Sequence, residues 1–127
     1  MKRLFAVLAV AAILAAGTSL YAHHSFAAAY LEDKTVKIEG KLVTFTLRNP
    51  HSFVGVEAKD EKGVMQTWSI EWGAASQLNL TGGAEALKPG DPVVVVGNPG
   101  RNPVDHRMRM VSITRTSDGW KWTGNFQ

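Results

Sequence analysis

Residues 34–47 alternate apolar and polar side chains, and the alternation changes phase part-way along. Val36 and Ile38 alternate with Lys37 and Glu39; beyond Gly40, Val43, Phe45 and Leu47 alternate with Thr44 and Thr46. A period of two marks a strand with one buried face. A phase change at a glycine is what a β-bulge or a sharp strand bend needs. A long, bent first strand suits a small barrel, because that strand must serve both halves of it.

The rest of the chain reads the same way. Asn49-Pro50 turns it, and a second strand follows at Ser52–Lys59, closed by the charged turn Asp60-Glu61-Lys62-Gly63. The third strand runs over Val64–Trp72, with Trp68, Ile70 and Trp72 on one face and Thr67, Ser69 and Glu71 on the other. Residues 74–87 favour short helical pieces interrupted by Gly82-Gly83. Val93–Val96 has no polar interruption and reads as a buried strand. His106–Arg115 is a fifth strand, and Asp118-Gly119 turns into a short last one at Trp120–Trp122. Three strands, a short helical link and two more strands predict an all-β fold, a small five-stranded OB-like barrel in one domain over residues 23–127. An open β-sandwich is the alternative.

The N-terminus is read as an export signal over residues 1–22. Lys2 and Arg3 precede the apolar run Leu4–Ala16, which is too short to span a bilayer, and Gly17–Ala22 forms a cleavage region. The expected cut after Ala22 leaves His23 first and residues 23–33 as a lead-in without a sustained period. Cleavage after Gly17 or after Ala27 are the other options, and the last would remove both histidines. The expected location is a bacterial periplasm. The chain has no cysteine, so neither a lipid anchor nor a disulfide supports it. Of its 14 basic residues two lie in the signal, against 11 acidic ones. The remainder is nearly neutral, so no basic patch calls for nucleic acid, and no second apolar span calls for a membrane.

Two constellations could hold a metal. In the first, the free α-amine and ring of His23 chelate one ion, with His24 and His51 completing a nitrogen set suited to Cu(II). His51 follows Asn49-Pro50, a rigid place from which to present a ligand. The alternative is that His23 and His24 are solvated tail residues and His51 holds its loop by hydrogen bonds. The second constellation is His106, Met108 and Met110, at period two on the fifth strand, where thioethers suit Cu(I). Arg107 and Arg109 must then face water, which turns the methionines inward, where methionine usually fills core. Asn49, Trp120 and Trp122 are a candidate ligand face, and Glu71 is placed to pair with Arg48 or Arg115. No catalytic residue is assigned: no G-x-S-x-G, P-loop or H-E-x-x-H motif occurs.

Four motifs in order, His23-His24-Ser25-Phe26, Asn49-Pro50-His51, Trp68-Ser69-Ile70-Glu71 and Leu87-Lys88-Pro89-Gly90-Asp91, resemble the DUF6152 family of exported bacterial proteins, whose activity is not established. The resemblance implies a small periplasmic barrel with a processed N-terminal histidine. The chain departs from the family at Asp105–Met110. Those residues are weakly similar to the OB-fold copper and silver chaperones of the periplasm. The expected function is that of a copper carrier, buffer or resistance accessory, alone or with another periplasmic protein. A metal-free binding module for a small ligand or partner is the alternative, and an oxidative copper enzyme a third reading.

Overall fold

The structure is a computed structural model that describes Met1 and residues 26–124. The expected signal, apart from Met1, and His23 and His24 lie outside the described residues. The strands are β1 (Val36–Thr46), β2 (Phe53–Lys59), β3 (Met65–Glu71), β4 (Pro92–Pro99), β5 (Arg107–Arg115) and β6 (Lys121–Thr123). Two short helices, α1 (Ala75–Leu80) and α2 (Gly83–Ala86), link β3 to β4, and a 3-10 turn at Pro103–Asp105 precedes β5. The strand order is β3-β2-β1-β4-β5-β6, and an additional β3–β5 pairing closes the first five into a barrel. That closing pair is parallel and short: Ser69, Ile70 and Glu71 lie opposite Arg107, Met108 and Arg109. β6 pairs with β5 outside the ring. Among the described residues no helix is long and apolar enough to cross a membrane.

β1 bends as expected, and of the two devices expected at Gly40, a bulge or a strand bend, the bulge lies elsewhere. Its residues 36–41 pair with β4 and its residues 40–46 with β2, so Gly40 and Lys41 are where the strand passes from one half of the barrel to the other. Ile38, Gly40 and Leu42 keep one phase, and the register slips between Leu42 and Thr44. Val43 is therefore the extra residue that moves Phe45 inward; Gly40 is not the bulge. Gly40 serves close approach instead, since a Cβ there would collide with the carbonyl oxygen of Glu57.

The core fills the barrel with Ile38, Leu42, Val54, Val56, Ile70, Val93, Val95, Met108, Met110 and Ile113. The helical link caps one end, sending Leu78 and Leu87 into the same cluster. Trp72 packs there, stacked on Phe45 at 5.5 Å and edge-on to Trp122 at 5.2 Å, with its buried indole N–H left without a hydrogen-bond partner. The last turn is tied by charge. Asp118 accepts two hydrogen bonds from Arg115, which also pairs with Asp91 at 3.4 Å and donates to the carbonyl of Ala86.

Gly40→Ala should cost about 1–3 kcal/mol, because the obstructing atom is backbone in a paired strand and cannot swing aside; urea unfolding checks it. Asp118 supplies a pH dependence. The guanidinium of Arg115, and then the amide of Trp120, hold its carboxyl down from the ordinary 3.8 to about 2. The unfolded chain takes up that proton more readily than the folded one. The stabilisation is thus present above about pH 3.8 and is lost as the pH falls through about 2. Asp118→Asn should remove that part of the acid-induced drop in melting temperature.

Candidate functional site

The lead-in folds back along the outside of the barrel wall, over the β3–β5 closure. A helical turn at 26–29 is followed by Tyr30, which forms an isolated antiparallel bridge with Gly100. The amide of Leu31 donates to Pro99, that of Arg101 donates to Ala29, and the side chain of Asn98 donates to Lys34 at 2.8 Å. Arg101 reaches further and donates to the carbonyl of Ala27 at 2.7 Å. Four residues around the end of β4, Asn98 to Arg101, thus fix a segment that has no period of its own.

Strapping the lead-in down buries Tyr30, which is 1% exposed. Its hydroxyl donates to Oε2 of Glu71 at 2.5 Å and accepts from Arg107 at 3.4 Å. Burial first, and then the Glu71 carboxylate, push the phenol well above its ordinary range, so it stays a donor at neutral pH. The other oxygen of Glu71 meets Nδ1 of His51 at 3.0 Å. A carboxylate accepts, so Nδ1 of His51 carries a proton, and Nε2 is the ring nitrogen turned away from Glu71.

His51 is also held by its loop. Ser52, fully buried, both donates to the carbonyl and accepts from the amide of Arg48, at 3.2 Å each, while Arg48 Nε donates to the His51 carbonyl. Phe26 completes the arrangement. Its ring stands edge-on to His51 at 5.3 Å between centroids, with the Arg109 guanidinium 4.0 Å above its centre. The side chain of His51 remains about a third exposed.

The other expected residues lie apart from this cluster. Met108 and Met110 are in the core, 0% and 1% exposed, as the outward-facing Arg107 and Arg109 require. His106 does not share their face. It precedes β5 with φ at 45°, off the strand's alternation, and its Nε2 faces Asp60 Oδ2 at 3.8 Å while its ring meets Trp68 edge-on at 5.1 Å. Asn49 accepts from the amide and hydroxyl of Ser76 at the start of α1. Trp120 and Trp122 pack against the core on the β6 side, Trp120 below the Arg115 guanidinium. Asn49 and the two tryptophans therefore belong to different elements. Glu71 pairs with His51 and Tyr30, where Arg48 or Arg115 was expected; those arginines are taken by the His51 carbonyl and by Asp91 and Asp118. Among the described residues, no three His, Cys, Asp or Glu side chains are grouped to hold a metal.

A family model described as "Family of unknown function (DUF6152)" matches residues 10–109. The chain belongs to that family. No curated protein matches it. Among solved structures, the mitochondrial single-stranded DNA binding protein of S. cerevisiae is similar, with 16% sequence identity and a TM-score of 0.49. The match covers 65% of the DUF6152 chain and 93% of that one.

Tyr30, and the pairing of Glu71 with it and with His51, are what the sequence reading missed. The signal was present: a lone tyrosine among alanines in the lead-in, and a glutamate ending the outward face of β3. Tyr30→Phe should destabilise the protein by about 1–3 kcal/mol, since it removes the hydroxyl between Glu71 and Arg107 in a buried setting. Chemical denaturation measures this, and the His51 ring resonances should shift with it.

Proposed function

We propose that this protein is an exported, periplasmic copper-binding protein, a carrier or buffer, whose metal is held by a processed N-terminal His23 with His24 and His51. The observation that supports it is Phe26 packed on His51. Phe26 is three positions after His23, and three extended residue steps reach at most about 10–11 Å. In a chain cleaved after Ala22, that short span would let the terminal amine and first imidazole reach the neighbourhood of His51.

The donor chemistry fits. His51 has its Nδ1 proton engaged by Glu71, which is how imidazoles that ligate through the other nitrogen are usually oriented. Tyr30 fixes the far oxygen of that carboxylate, so its aim does not depend on a mobile side chain. A terminal amine loses its proton near neutral pH at small cost. Copper(II) favours nitrogen donors in a tetragonal set and binds them more tightly than the other divalent first-row metals. His23 would supply two such donors and His51 a third, with His24 beside them.

A Cu(II) titration tests the proposal, using protein whose first residue is verified as His23 and the same protein with one alanine added ahead of it. The addition moves the amine from the ring and leaves every side chain in place. Tight one-to-one binding should collapse in the extended form, and Glu71→Gln should weaken it about 10–100-fold. Equal binding by the two forms overturns the reading.

A further inference from the structure

A second feature lies at the end of the barrel away from the helical cap. β3 and β5 are paired only from Ser69 and Arg107 onward. Before that point the place beside β3 is taken by the 3-10 turn and by His106, and the wall opens into a cavity of about 500 Å³. Such a volume is within the range of small-molecule sites, and barrel mouths are where these sites often form.

The walls define what would fit. Val36, Val64, Pro99, Pro103 and Val104 are apolar, and Trp68 presents a ring whose own N–H is spent on the carbonyl of Ala58. Val64 and Val104 are left 53% and 77% exposed on the rim. The charges around the opening balance, Asp60 and Glu61 against Lys62 and Arg107. An ionic ligand gains nothing from such a set, and an uncharged one loses nothing.

Of the polar side chains in the lining, Gln66 is engaged by Asp60 and Asn102 by Asp105 and Val104, while Asp60 and His106 form a polar slot. Asp60 Oδ2 and His106 Nε2 face each other at 3.8 Å, too far apart for a hydrogen bond and right for a single atom bonded to both. Asp60 is fixed by the amides of Lys62 and Val64 and by Gln66. The amide of Val64 contributes most to lowering its carboxyl, so it remains an acceptor at neutral pH. His106 is fixed by its left-handed backbone after the 3-10 turn, a conformation that few side chains adopt and that often marks a working position. A hydroxyl, donor and acceptor at once, completes the slot.

We propose that this cavity binds an uncharged hydroxyaromatic compound of one or two rings, its ring against Trp68 and the valines and its hydroxyl between Asp60 and His106. The site is separate from His51 and does not depend on copper.

The test is binding of β-naphthol to metal-free protein, followed by the shift of the Trp68 indole N–H in NMR spectra. Saturable one-to-one binding with a Kd of about 0.1–1 mM is expected for a ligand of this size. His106→Gly, which suits the positive φ, should weaken it about fivefold to tenfold by removing one hydrogen bond. β-Methoxynaphthalene, which cannot donate, should bind more weakly by a similar factor. His51→Ala should bind as the unaltered protein does. Absence of saturation, equal affinity in His106→Gly, or a preference for β-naphthoate or glucose over β-naphthol each overturns the proposal.

Discussion

Three parallel residue pairs between β3 and β5 hold the barrel shut, and the arrangement around them follows from how short that seam is. Antiparallel neighbours elsewhere in the ring pair over six to seven residues each. At the seam, Glu71 emerges opposite Arg109, and Ser69 opposite Arg107, so one acidic and two basic side chains point outward from a narrow strip. The lead-in lies across this strip. Tyr30 takes Glu71 and Arg107, Glu32 takes Arg109 at 3.1 Å, and Phe26 lies under the Arg109 guanidinium. Buried polar groups of this kind are tolerable only when paired. The lead-in supplies the pairing that would otherwise come from water. Where the seam ends, the strands part and the cavity begins.

Much of the barrel was legible in the sequence because burial on one face of a strand writes a period of two. The alternation in β1, β3 and β5 and the unbroken valines of β4 marked the succession of strands along the chain, and the arginines of β5 correctly turned Met108 and Met110 inward. Of the bulge and the strand bend read at Gly40, the bulge lies three residues further on, for an instructive reason. Glycine at a phase change suggests itself as the bulge, yet a valine can take the extra position in an antiparallel pair, and Gly40 is needed where two neighbours crowd one backbone. His106 was misread because alternation was extended one residue beyond the strand. A single positive φ is enough to break it.

The candidate site was legible only in part, because its ties are non-local. His51 at the Asn49-Pro50 turn was visible as a fixed position, but Glu71 and Tyr30 are 20 and 21 residues from it in sequence, on opposite sides. No spacing rule connects a strand end to a lead-in that crosses it from outside. The lead-in also lacks any period, since it is held by backbone and side-chain hydrogen bonds to residues 98–101 and not by an apolar face of its own. Composition and periodicity see burial; they do not see which carboxylate a histidine finds.

This dependence on long-range ties bears on how a terminal ligand could work at all. A free N-terminus that had to be captured by the barrel would lose the conformational freedom of its whole lead-in on binding, at about 1–2 kcal/mol for each residue ordered. Here that ordering is already accomplished from Phe26 onward by Tyr30, Asn98, Arg101 and Arg109. Only the three residues ahead of Phe26 would remain to be fixed, a small fraction of the loss for the full segment. On the copper reading, then, the strap across the seam and the metal ligands are parts of one device. On that reading, the hydrogen bonds that give Tyr30 and Glu71 their partners also hold Phe26 against His51, and a ligand at position 23 would need only three residues of chain to come from that fixed point.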